Sequence, residues 1–168
     1  MAATSYGETM AVASIPRTGL GPRLVVQPLA RADARHAYPL IRELEPGLAL
    51  EQWLRRAARL TGGTSRNRGM LVARRENQSH YCGAACYRRE AALLPESVLA
   101  AEHFIALDLL QPEAVLEVLL AALDGVARTL GCQAIRSVVR GPGLHQLACF
   151  HRAGHHPAGL VLTKPLSR

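Results

Sequence analysis

The stretch EHFIALDLLQPEAVLEVLLAALDGVARTLGC, residues 102–132, decides the fold. It opens on a mostly apolar run, residues 104–110, too short for a helix of its own and so read as strand. It then passes through Gln111-Pro112 into a pattern where Leu116, Leu119, Leu120, Leu123, Val126, Ala127 and Leu130 recur at helical intervals. That spacing predicts a long helix with one buried face. Pro112 suits the first helical position, Glu113 and Glu117 lie toward the positive N-terminal end, and Gly131 suits the stop. In α/β proteins a strand, tight turn and long helix make a docking place for anionic cofactors, because the N–H groups of the first turn point at the ligand.

The 168 residues are enough for one domain with a proper core, read here as residues 23–168. Apolar residues at 49% and charged residues at 20% are the balance of a soluble globular chain. No apolar run reaches the roughly 18 residues of a membrane span. Residues 1–22 lack a basic start followed by an apolar block, so they read as a loosely ordered leader rather than a secretory signal. The net charge of +7 raises nucleic acid as a partner. The arginines, however, come as scattered pairs (Arg55-Arg56, Arg74-Arg75, Arg88-Arg89), and two Phe, one Trp and four Tyr make no stacking platform. Nucleic acid is therefore not the expected partner, whereas a phosphorylated cofactor would also welcome this charge. Cys82, Cys86, Cys132 and Cys149 show no C-x-x-C spacing and fit free thiols in a reducing cytoplasm. His80 with Cys82 and Cys86, and His151 with His155, are fragments of zinc sites without a full tetrahedral set, so no metal is expected.

In order, residues 24–28 read as a strand ended by Pro28. A helix through Leu40, Ile41 and Leu44 follows, with Asp33 as a plausible N-cap and Pro39 as a kink. A second helix over residues 50–60 turns Trp53, Leu54, Ala57 and Leu60 inward, and a polar loop fills 61–69. Residues 70–74 and 80–88 form a hairpin, with Gly83 marking a bulge or a close backbone approach. The central strand, about residues 99–109, precedes the long helix. A strand over 134–139, a short helix over Leu144–Arg152 and a last strand over 160–163 complete the order β-α-α-β-β-β-α-β-α-β.

This order resembles the GNAT superfamily of N-acetyltransferases from about residue 24 to residue 166. Val26-Gln27-Pro28 followed by Ala32-Asp33, Gly83 in the third strand, and Leu119-Leu120-Ala121-Ala122-Leu123 on to Gly131-Cys132 match the family's pattern. So does Ala148-Cys149-Phe150-His151-Arg152-Ala153-Gly154-His155, similar to a late helix ending in Tyr-x-x-x-Gly-Phe. The resemblance implies an α/β fold with a central mixed, mostly antiparallel sheet flanked by helices. It also implies acyl transfer from a CoA thioester, acetyl-CoA or another acyl-CoA, to an amine-bearing acceptor. Ile105, Ala106 and Leu107 would pair with the pantetheine arm.

The family's pyrophosphate motif, Gln/Arg-x-x-Gly-x-Gly/Ala, falls on residues 111–116 and makes Gln111, Ala114, Val115 and Leu116 the cofactor-binding positions. Gln111 matches, but Ala114 and Leu116 fill both glycine positions. Pro112 removes an N–H, and Glu113 adds a negative charge where a polyanion would sit, which makes a poor phosphate cradle. Phe150 stands where family members often carry an acidic Tyr. His151 next to it could donate a proton, but adjacent helical residues point about 100° apart. Glu102 occupies the position of a carboxylate base, and His103 beside it points to the opposite face of a regular strand, so at most one faces a given cleft. Asp108 lies where open sheets place ligand-binding groups, and reads equally as a turn residue. The catalytic candidates are thus Glu102, His103 and His151. Two functions stay open, a cytoplasmic acyltransferase or a binding module that keeps the fold without the chemistry, and either is compatible with a homodimer.

Overall fold

The structure, a computed structural model, describes residues 23–62, 67–93, 95–109, 111–141 and 143–166. The expected leader and residues 63–66 of the polar loop lie outside the described residues. Strands β1 (Leu24–Pro28), β2 (Arg68–Arg75), β3 (Tyr81–Ala91), β4 (Ser97–Ala106) and β5 (Ala134–Val138) form one sheet in the order β1-β2-β3-β4-β5. The first four are antiparallel neighbours, and β5 joins β4 in parallel, so the sheet is mixed. That parallel step needs a long crossover, and the helix α3 (Pro112–Thr129) supplies it.

Helices cover both faces. On one, α1 (Ala34–Leu44) and α2 (Leu50–Thr61) pack Leu40, Ile41, Trp53 and Ala57 onto Met70, Val72, Ala84 and Ile105. A short 3-10 turn, Arg31–Asp33, leads into α1, and Asp33 makes no side-chain cap bond there. The indole N–H of Trp53 donates to the Ala34 carbonyl at 2.6 Å and ties the two helices together. On the other face lie α3 and α4 (Leu144–Arg152), with Leu119, Leu123, Cys149 and Phe150 against Leu71, Ala73, Leu99 and Ala101. No described helix is long and apolar enough to cross a membrane.

The ends of α3 follow the sequence signals. Pro112 opens it. At the other end Gly131 takes φ 64°, its N–H donates to the Arg128 carbonyl, and the Cys132 N–H reaches back to Ala127 at 2.8 Å. This is the left-handed glycine stop, which satisfies otherwise orphaned carbonyls.

Two expected elements differ. The central strand ends at Ala106 rather than near residue 109: residues 107–109 have left the strand, and α3 opens at Pro112. The last strand over 160–163 does not form, and residues 155–166 run as irregular, mostly exposed chain. Apolar composition makes a strand only where a partner edge completes its hydrogen bonds.

Gly83 lies under α3, where an added Cβ would run into Val115 Cγ1 and stand 3.2 Å from the Ile105 carbonyl oxygen. Gly125, on the exposed side of the same helix, has nothing within 4 Å of that position. Gly83→Ala is therefore expected to destabilise by about 1–3 kcal/mol through overpacking. Gly125→Ala should stabilise by up to about 1 kcal/mol through helix propensity. Urea unfolding of the two variants measures both signs.

Candidate functional site

β4 and β5 pair from Val98↔Ala134 to Glu102↔Val138 and then part. At the same place β4 bulges: Cys86 of β3 pairs with Glu102 and Ala84 with Ile105, so residues 103 and 104 stand opposite residue 85 alone. His103 takes φ 59° there, a left-handed conformation that non-glycine residues rarely adopt. An extra residue bends a strand and re-aims its side chains. Between the parted strands opens a cleft of about 310 Å³. Leu116 and Phe150 line it from the α3–α4 side and Leu44 and Glu45 from the end of α1, so it connects the two faces of the sheet.

Both Glu102 and His103 line this cleft. Strand alternation predicted that at most one would. The cleft reaches both faces of the sheet beside the bulge, so both residues line it without having to share a face. The Glu102 side chain is 32% exposed and lies 3.7 Å from Arg88, which also pairs with Glu90, itself paired with Arg136. The carboxylate is thus held in place yet reachable. Burial, and then the Glu102 charge, push the neighbouring Cys86 thiol up to about 12. The Nδ1 atom of His103 is buried without a hydrogen-bond partner among the described residues.

The other expected positions divide. Phe150 meets Phe104 edge-on with ring centroids 5.0 Å apart and walls the cleft with carbon only. His151 is exposed and lines a different groove, beside β5, so the geometry does not bring it to Glu102 and His103. Ile105 and Ala106 line the cleft, although the Ile105 side chain is buried beneath α1 and α2. Leu107 is half-exposed and donates its N–H to the Cys82 carbonyl at 2.7 Å. Val115 and Leu116 are buried core residues, so neither crowds the loop surface; their bulk fills the interior. Arg140 and Gln146 are cleft-lining polar residues that the sequence reading passed over. The signal for Gln146 was its place three residues after Gly143, whose N–H it accepts at 3.3 Å as a helix-end partner.

The loop from β4 to α3 is tied internally. Asp108 accepts the Gln111 N–H at 2.9 Å and two bonds from the Arg75 guanidinium, at 2.5 and 3.1 Å. The Ala114 and Val115 N–H groups turn to the Gln111 carbonyl. Asp108 is therefore the turn residue of this loop, and a negative one. N–H groups that could meet a phosphate at Gln111 and Ala114 are already engaged.

Two expectations follow. The Arg75 and Asp108 side chains are only 14% and 9% exposed, so Asp108→Ala removes a mostly buried ion pair together with the bond to the Gln111 N–H and should cost about 3 kcal/mol in urea unfolding. At pH 8 a thiol at about 12 is ionised in about one molecule in ten thousand. Cys86 should accordingly resist alkylation in the folded protein and react fully in denaturant, as peptide mass mapping would read.

No family model matches the chain, and no curated protein matches it by sequence. Solved structures do match by shape. The aminoglycoside N-acetyltransferase AAC(6')-Iy in complex with CoA aligns with TM-score 0.73 and 15% identity, over 90% of this chain and 98% of that one. Glucosamine-6-phosphate N-acetyltransferase from Arabidopsis thaliana aligns with TM-score 0.66 and 14% identity, over 86% and 99%. A transcriptional regulator from Bacillus halodurans C-125 aligns with TM-score 0.71 and 12% identity, over 86% and 100%. At such identities the likeness is one of architecture, and it agrees with the parted β4 and β5, the crossover helix and the two-sided helix cover: the chain is built on the GNAT fold.

Proposed function

We propose that this chain is an acyl-CoA-dependent N-acyltransferase, with acetyl as the acyl group, acting on an amine by direct attack in the cytoplasm. The observation that carries the reading is the cleft between parted β4 and β5, lined by both Glu102 and His103. The acetyltransferase AAC(6')-Iy, a structure in complex with CoA, supports it by fold. Four free cysteines are compatible with a reducing compartment.

Past Glu102 the β4 backbone no longer pairs with β5, so residues 103–106 face the cleft with main-chain groups. That edge suits the amide-rich arm of a CoA thioester and supplies dipoles to a thioester carbonyl. Glu102 accepts the proton of the attacking amine, directly or through one water, as its partial exposure permits. His103, whose Nδ1 is buried at the bulge without a partner among the described residues, is the neighbouring group able to hold or return a proton. Phe150 contributes shape and dryness, not a proton.

The acyl end of the donor fits this cleft better than the diphosphate end fits the loop, where Asp108 and the Gln111 carbonyl occupy the N–H groups. That occupancy favours a second reading, a GNAT-fold binding module without turnover. Calorimetric titration with acetyl-CoA, and with CoA for comparison, separates the two. Micromolar binding followed by turnover in an amine screen is the expected result, and no heat at millimolar cofactor would leave the binding module. In an active protein Glu102→Gln should lower kcat/KM by about 100-fold or more at unchanged stability.

A further inference from the structure

Among the described residues lining the cleft, the permanently charged side chains are Glu45, Glu102 and Arg140. Glu102 lies near Arg88, and Arg88 and Arg136 both pair with Glu90, so the arginines on those strands are already engaged. Arg140 differs. It is exposed, and its guanidinium has no ion-pair partner among the described residues. A guanidinium is planar and offers paired N–H groups that match a carboxylate or a phosphate.

The place of Arg140 decides which reactant it meets. Val138 is the β5 partner of Glu102 in the last β4–β5 pair, and Arg140 follows two residues later, at most about 7 Å of chain. With Glu102 as the base, that puts the guanidinium within reach of the attacking amine. The diphosphate of a CoA thioester belongs at the other end of the arm, toward the Gln111 turn. Glu45 comes from the end of α1 and is also exposed, so the cleft carries negative charge from α1 and β4 and positive charge from the end of β5. At about 310 Å³ the cleft is at the small end of ligand pockets and suits a small acceptor beside the acyl group.

We propose that the acceptor is a small amine bearing its own anionic group, a carboxylate or a phosphate, which Arg140 holds while the amine faces Glu102. This rests on the acyltransferase reading and adds the class of acceptor to it. The ammonium end of such a molecule is drawn to the carboxylates and its anionic end to the guanidinium, so the two charges together fix one orientation. The ammonium gives one proton to Glu102 and on to solvent. Its nitrogen then bonds to the acyl carbon as the C–S bond breaks, and the second proton goes to the departing thiolate. A site built to pair an anion discriminates against the analogue that lacks it, because the guanidinium is then left without its partner.

Thiol release from acetyl-CoA tests this with matched acceptors: amino acids against their amides and against the amines lacking the carboxylate, and phosphoethanolamine against ethanolamine. The anionic members should have kcat/KM about 10- to 100-fold above their neutral counterparts, and the two sets separate carboxylate from phosphate. Arg140→Gln, at an exposed position, should melt as the parent does. It should abolish that preference through KM, leave kcat for neutral amines unchanged and leave the Kd of acetyl-CoA unchanged. Arg140→Lys, which keeps the charge without the fork, should recover part of the preference. Neutral and anionic amines acetylated alike, or no member of the panel acetylated by a protein that binds acetyl-CoA, overturns this inference alone. An Arg140→Gln variant that weakens acetyl-CoA and slows all amines equally assigns Arg140 to the donor and also overturns it. Failure of the parent protein to bind acetyl-CoA overturns the acyltransferase reading, and the acceptor class with it.

Discussion

The close approach of α3 to the sheet at Gly83 is the contact on which the other features depend. Val115 and Leu119 descend onto a backbone without a side chain, and the helix lies low enough to bury Leu116, Leu120 and Leu123 as well. Packing at interior density leaves no room for one extra methyl there. Because α3 is the crossover between β4 and β5, its depth also fixes how β5 is delivered beside β4. The parallel pair, its early end at Glu102↔Val138 and the cleft beyond are consequences of where that helix sits.

The cleft is made by an irregularity, and its chemistry follows from the same irregularity. A regular β4 would send Glu102 and His103 to opposite faces. The bulge places His103 at φ 59°, at the cost of backbone strain and an Nδ1 buried without a partner among the described residues, and both residues line the cleft. Such strain is held only where the surroundings over-determine it. Here the flanking pairs Cys86↔Glu102 and Ala84↔Ile105 pin both sides of the bulge.

The turn into α3 shows how a familiar element can be put to another use. Its first position is Pro112, which has no N–H to offer a phosphate, Glu113 adds a negative charge, and Asp108 caps the turn while Arg75 neutralises Asp108. The acidic side chain fills the electrostatic role of an external anion, so the turn is stable by itself. Affinity for a CoA thioester would then rest more on the β4 edge and the cleft, and less on the diphosphate.

By itself the sequence determined the element order, the inward faces of the helices, the span of α3 and its glycine stop, and the tightness at Gly83. These are set by local chemistry: apolar periodicity, the proline and glycine at the helix ends, and the absence of a side chain. It also offered Glu102 and His103 as candidates and residues 111–116 as a poor phosphate cradle, but only through the family resemblance. Tertiary structure decided the rest. The bulge set the backbone at His103 where β4 and β5 part, and Arg75, remote in sequence, converted Asp108 from a candidate ligand into a turn residue. The orientation of α4 sent His151 to a different groove. Residues 160–163 carry the composition of a strand but pair with no described strand, because strand formation is settled by hydrogen-bond partners from elsewhere in the structure and not by the segment's own residues.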